Sequence, residues 1–530
     1  MKKFIFFWIS VSLYHSSLAV AMHRSIEMTS EASYRLKFAG GTVTDTEFSE
    51  IFQRSNFKSI EKLEISDSKI DPEFIRRLPA GLKELSLNFV TDLQGNKLLV
   101  HQFLQDAPYF DELEVLSLKN QQITSSEVSI IAQMQALKKL NLSSNQIKAQ
   151  GFIEVAIMQS LEDLDLSNNH IHFLASEQDE TNEDHSNIYK ITTLKLGGNK
   201  IGDAGAAFIS RMRRITTLDL SRNNITAAGA QSISQMQRIT SLDLSENKIG
   251  NTGAHHLSQL HGITTLDLSE NKIGNAGAQS ISQLQGITTL DLSKNKIRAV
   301  GAQHISTIPG LVTLKLGGSF FIKSNEIEYL GAQHISTIRS LTTLDLSWNA
   351  ILSEGVQHLS RMQGLTTLDL SWNVVLSEGV QHLSRMQGLT TLNLSGTATR
   401  SEGARHLSRM QGITDLDLRW NPIGPSGAQH LSRMQGLTTL NLNRCLIGDE
   451  GAEHLSHMQN LTNLNLRSNQ IGDTGAMHIS KLLGLRTLNL SNNKIRTQGA
   501  RHLSHMQDLG VEIHGTTRTS CHCRCTIFSR

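Results

Sequence analysis

Three tryptophans, Trp348, Trp372 and Trp420, occupy the same place in a recurring 24-residue sentence, the eighth residue counted from the leucine or isoleucine that opens each copy. Trp is scarce in this chain of 530 residues; the fourth, Trp8, lies in an apolar run at the N-terminus. Three scarce residues sharing one of 24 places point to a common task. Arg419 precedes Trp420, and Arg444 holds the eighth place one copy later. Trp and Arg dominate the energetics of many protein interfaces, because each buries a large area around a polar handle. The expected partner-binding residues are therefore Trp348, Trp372, Trp420, Arg419 and Arg444. Gly396 holds the same place between Trp372 and Trp420 and leaves a gap in the row. The copies opening at Leu341 and Leu365 differ only at Ala350/Val374 and Ile351/Val375, so Trp372 also reads as a duplicate of Trp348.

Two other columns recur. At the fifth place stand Asp165, Asp219, Asp243, Asp267, Asp291, Asp345, Asp369 and Asp417, with Asn393, Asn441, Asn465 and Asn489 among the later copies. Carboxylates stacked at strand spacing repel, so parts of this column should have raised pKa values or attract cations. His304, His334, His358, His382, His406, His430, His454, His478 and His502 form the second column, with His256 earlier. Each precedes an inward Leu or Ile and should be partly buried, where the charged imidazolium is disfavoured. Metal binding needs ligands converging near ~2 Å, which adjacent copies do not supply. Cys445 replaces an expected Asn and reads as buried and inert, whereas Cys521, Cys523 and Cys525 form a C-x-C-x-C run too compact for common zinc spacings.

Catalysis finds no support in the residues. No Ser or Cys nucleophile recurs beside the histidines with an orienting acid, and the glycines punctuate the repeat instead of cradling phosphate. No enzyme activity, cofactor or metal is expected.

The elements that position these columns follow from period. Thr289-Leu290-Asp291-Leu292-Ser293 alternates polar and apolar residues, which predicts a short strand with Leu inward. Asn295 then marks the ninth place, where a side-chain amide can satisfy backbone groups freed as the strand turns. Gly229-Ala230-Gln231-Ser232-Ile233-Ser234-Gln235-Met236 has helical spacing, and its small Gly-Ala pair permits close approach to a neighbouring helix. Strand plus helix, repeated from about Ile60 to Leu509, predicts an α/β repeat solenoid, curved, with parallel strands on the concave face and short helices on the convex face.

The register L-x-x-L-x-L-x-x-N-x-I resembles that of leucine-rich repeat proteins. The pairs Gly253-Ala254, Gly277-Ala278, Gly301-Ala302, Gly403-Ala404, Gly427-Ala428, Gly451-Ala452, Gly475-Ala476 and Gly499-Ala500 resemble the bacterial GALA-type subclass, itself similar to ribonuclease-inhibitor-like repeats. GALA-type effectors typically carry an F-box that recruits a ubiquitin ligase; residues 22–59 are short for one. Leu78-Pro79-Ala80-Gly81-Leu82 is similar to the repeats of another bacterial effector group but occurs once, without room for that group's catalytic domain. The resemblance implies protein binding, with a host protein as partner; a ligase adaptor and a structural cell-envelope component are the alternatives.

Composition bounds the rest. Lys and Arg total 50 against 48 Asp and Glu, so no global field favours nucleic acid. Met1-Lys2-Lys3, the apolar run Phe4 to Leu13 and Ala19-Val20-Ala21 read as a signal peptide cut after Ala21. The expected organisation is a signal peptide (1–21), an N-terminal cap with a degenerate first repeat (22–59), the solenoid (60–509) and a disordered tail (510–530). The mature protein is expected to be secreted, periplasmic or on the cell surface, with no membrane span. Three copies are longer: one gains Leu98, Leu99, Phe103 and Leu104, one the acidic run Glu177 to Asp184, and one Phe320-Phe321-Ile322. Such insertions are frequent places for function.

Overall fold

The computed structural model describes residues 23–28, 34–43, 60–70, 78, 81–92, 95, 111–173, 189–319 and 325–515. The expected signal peptide, the C-x-C-x-C run and the three insertions lie outside them, and so do Pro79 and Ala80 of the Leu78–Leu82 motif. The chain divides into two compact units, residues 1–249 with 259–263, and residues 250–258 with 264–530.

In the first unit a parallel ladder starts from Tyr34–Val43, which pairs with Ile60–Ile70. It continues through Glu84–Asn88, Val115–Ser117, Lys139–Asn141, Asp163–Asp165, Thr193–Lys195, Thr217–Asp219 and Ser241–Asp243. His23–Met28 lies antiparallel on Tyr34–Val43, an added strand that the repeat period does not foretell. Phe152, Phe173 and Phe208 pack ring to ring, Phe173 stacking on Phe208 at 5.2 Å, and Tyr189 meets Phe208 at 6.1 Å. This aromatic cluster holds both ends of the segment between Phe173 and Tyr189.

The second unit repeats the scheme from Thr265–Asp267 to Thr487–Asn489, each strand three residues long and in register with the next. In each strand the fourth and sixth places point inward: Leu290 and Leu292 are buried, while Thr289 and Asp291, which alternate with them, face outward and are half-buried. Ile287, Ile297, Ala302, Ile305 and Ile308 complete the core of that copy. Within each unit, strands about 4.8 Å apart and helices that need about 8–10 Å cannot stack straight. The strand face is therefore the concave one.

Glu512–His514 corrects the expected boundary of the tail: it pairs in parallel with Thr487–Asn489, and the Leu490 N–H donates to the His514 carbonyl at 2.9 Å. The open edge of the last Leu-bearing strand has backbone groups to satisfy, and Val511, buried beside it, anchors the segment that satisfies them.

The helices are joined by a contact running from one copy to the next. Asn251 Oδ1 accepts the N–H groups of Gly274 (2.7 Å) and Gly277 (3.1 Å), capping the following helix from its predecessor. Asp203, Asn275, Asp449 and Asp473 do the same for their successors. The Gly of each Gly-Ala pair is required here. A Cβ on Gly277 would lie 2.8 Å from Asn251 Oδ1 and 2.5 Å from Ile273 Cγ2.

Candidate functional site

The eighth place, where the Trp residues stand, is the left-handed turn after each strand. Trp348, Trp372 and Trp420 have φ of 59°, 58° and 61°, and Arg444 has 58°. Asn168, Gly198, Gly396 and Asn492, which hold the same place elsewhere, suit that conformation better than a bulky ring does. The turn throws each eighth side chain outward along the rim of the strand face, so the indoles follow one another.

Trp348 and Trp372 stack with ring centroids 4.8 Å apart and planes 15° from parallel. Trp372 and Trp420 belong to copies that are not adjacent, yet their centroids are 6.1 Å apart at 54°. Gly396 makes this possible. The Trp372 ring lies across it, and a Cβ there would come within 2.6 Å of Cε3. The gap in the sequence is the seat of a ring. Arg444 extends the row with its guanidinium 3.9 Å from the Trp420 centroid, a cation–π contact. Arg419 turns the other way and pairs through Nε with Asp417 Oδ2 at 3.2 Å, so it belongs to the carboxylate column.

The rings remain accessible: Trp372 is 37% and Trp420 46% exposed. Val374, Leu352, Leu376 and Leu446, on the turns beside them, are also exposed, and Leu352 bridges backbone to backbone with Val374. Their contribution is visible in the sequence only once the turn geometry is known, because single apolar residues after the Asn have no period of their own.

Two members of the Asp column, Asp345 and Asp417, are raised, chiefly by burial and less by neighbouring carboxylates. Burial pushes Asp345 up, and Asp369 beside it adds to the effect against hydrogen bonds from Ser347. Burial also raises Asp415, and raises Asp417 against the hydrogen bond and charge of Arg419. Burial pushes the Cys445 thiol up to about 12, far from the thiolate that reactivity needs.

The His column lies on the helices. His358, His382, His406, His430 and His478 each bury an Nδ1 with no hydrogen-bond partner. Burial, then Arg405, lowers the pKa of His406 while Glu402, 3.3 Å from its Nε2, opposes; His430 is lowered by burial, then by Arg433 and Arg405. A histidine depressed in the fold contributes its full stability above the unfolded value of about 6.5, and loses it as pH falls through that value toward the folded pKa. Melting temperatures between pH 7.5 and 5 should therefore decline less steeply in a His406→Gln, His430→Gln double variant than in the native chain. Parallel curves would remove these two groups from the account.

Among the described residues no group of three or more His, Cys, Asp or Glu could hold a metal ion, and no helix is long and apolar enough to cross a membrane.

A stacked strand–helix array with a buried Asn at most of its turns is the architecture of a repeat scaffold. Models of the leucine rich repeat match residues 111–171, 190–249 and 261–321, and again 337–360, 363–384, 412–432, 435–456, 457–480 and 485–504. These spans cover more than half of the chain, which belongs to the leucine-rich repeat family. Proteins of this family are protein-interaction scaffolds. A leucine-rich repeat protein of Leptospira interrogans is similar in structure at 20% identity and a TM-score of 0.49, over 81% of this chain and 100% of that one. An internalin of Listeria monocytogenes is similar at 17% identity and 0.38, over 79% and 94%. A plant peptide hormone receptor is similar at 15% and 0.35, over 93% and 92%. No curated protein matches the chain in sequence.

Proposed function

We propose that this is an exported bacterial leucine-rich repeat protein of the GALA-type subclass, which binds a host protein along the strand face and the adjoining rim. The observation that carries the interaction site is the unbroken row Trp348, Trp372, Trp420 and Arg444, half-buried at Trp348 and exposed from Trp372 onward, on turns whose backbone would be more easily made by Gly or Asn. Export rests on the apolar run after Lys2-Lys3 and on Ala19-Val20-Ala21, and the subclass on the Gly-Ala pairs. The ligase-adaptor and envelope readings have no comparable observation behind them.

Affinity capture from host extract with the chain from Met22 onward, against single Trp348→Ala, Trp420→Ala and Arg444→Ala variants, tests the reading. Each variant should weaken the captured complex by about 2 kcal/mol, roughly thirtyfold in Kd, with melting nearly unchanged. A partner indifferent to all three substitutions would move the interface elsewhere. Fractionating a producing culture checks export: retention of the protein in the cytoplasm refutes it.

A further inference from the structure

Near the Trp row the carboxylate column holds two members with an ion partner and, at the stacked indoles, two that form no ion pair among the described residues. Asp291 has Lys315 at 3.4 Å and Asp417 has Arg419 at 3.2 Å, whereas Asp345 and Asp369 form no ion pair among the described residues. The two face each other in register on adjoining strands, Thr343–Asp345 and Thr367–Asp369. Lys315 is the register neighbour of Asp345 on its other side, but it leans toward Asp291. Asp345 is held by the Ser347 N–H at 2.8 Å; Asp369 accepts from the Ser371 N–H at 2.8 Å and the Asn393 amide at 2.7 Å. These fix the carboxylates in place without supplying either with a directly paired cation.

Three residues beyond each carboxylate, in the same two copies, stand Trp348 and Trp372, stacked. Two adjoining repeats thus present a pair of carboxylates beside a pair of indoles, with the exposed side chains of Val374, Leu352 and Leu376 on the turns that follow. We propose that the protein partner seats a short basic segment here: an Arg or Lys side chain against Asp345 and Asp369, flanked by apolar side chains on the indoles and Val374. An acidic segment would add like charge to a carboxylate pair. A purely apolar one would bury that pair with no counter-charge. A guanidinium is also the group this surface already accepts, since Arg444 lies on Trp420. The inference rests on the reading of the Trp row as the interface and adds the chemistry of what binds there.

The probe is a library of random dodecapeptides displayed on phage, panned against the immobilised native chain, an Asp345→Asn, Asp369→Asn variant and a Trp372→Ala, Trp420→Ala variant. Asn already fills the fifth place in the copies of Asn393 and Asn441, where it accepts the same N–H two residues on, so the Asn variant keeps its fold. The native chain should enrich peptides in which Arg or Lys adjoins Leu, Phe or Trp. A synthetic peptide of that consensus should lose at least about tenfold in affinity to either variant, and should weaken as salt rises. An enriched pool that is acidic or neutral, no enrichment, or equal binding to the native chain and the Asn variant overturns the inference. If only the Trp variant loses the peptide, the interface reading stands and the basic segment falls; if neither variant does, both fall. Chitohexaose titrated in parallel separates a glycan surface: binding that needs the indoles but not the carboxylates would assign the row to a sugar and overturn the proposal.

Discussion

Leu290→Asp and Leu292→Asp are each expected to unfold their repeat and its neighbours, while Thr289→Asp, one residue away, leaves the fold standing. Both Leu side chains are fully buried between stacked strands, and no described cation lies inward to pair with a carboxylate. Burying an unpaired charge there costs several kcal/mol, on the order of 4 or more. Because each repeat of such an array is supported only by its neighbours, the loss spreads along the second unit instead of staying local. Thr289 points outward, and the chain itself places Asp163 and Asp415 at the equivalent third position. Its replacement should cost under about 1 kcal/mol, mostly through repulsion from Asp291. Urea unfolding followed by circular dichroism separates the variants, and equal midpoints for all three would overturn the register of the strand.

The register of the core was legible because it is repeated. Leu at the fourth and sixth places, Asn at the ninth and the Gly-Ala pair each recur often enough that period alone assigns their faces. Features that depend on backbone direction were less legible. The eighth place could be identified as shared by three Trp residues, but its left-handed φ, and hence the outward throw of the rings, has no counterpart in residue type when Arg, Glu, Lys and Trp all adopt it. Gly396 illustrates the difference: as a letter it interrupts the row, and as a residue without Cβ it lets Trp372 lie across the backbone and reach Trp420. Arg419 and Arg444 look equivalent in sequence, yet one place of difference sends the first to Asp417 and the second to Trp420. The helix caps from Asp203, Asn251, Asn275, Asp449 and Asp473 recur at the thirteenth place and had a periodic signal. Their targets lie 23 and 26 residues later, a separation that only stacking makes short. The strand Glu512–His514 had no such signal, since three residues without the Leu-x-Leu pattern resemble any tail.

Asn295→Ala is expected to destabilise the second unit by about 3–5 kcal/mol, from the desolvation penalty of roughly 1–3 kcal/mol for each buried backbone group left unpaired. Asn295 Oδ1 accepts the N–H groups of Asn271 (3.0 Å) and Ile273 (2.9 Å), and its Nδ2 donates to the carbonyls of Leu268 (2.8 Å), Leu292 (3.1 Å) and Ser293 (3.2 Å). One amide thus ties the turns of two adjoining copies where water has no access. The chain contains its own partial control. At Cys445 the thiol donates to the Leu418 carbonyl at 3.0 Å, but no side-chain oxygen is there to accept, and the Ile423 N–H turns to the Asn421 carbonyl at 2.8 Å. A donor survives and an acceptor is lost. Asn295→Cys should therefore cost less than Asn295→Ala, and Cys445→Asn should stabilise the chain by restoring the acceptor. Amide hydrogen exchange at Asn271 and Ile273 reads the effect where it arises: both should lose protection in Asn295→Ala, while a control at the half-buried Lys294, Lys294→Ala, which removes only a side-chain ion pair to Glu270, leaves them protected. Equal protection in the two variants would show that the ninth-place amide fills space without carrying the turn.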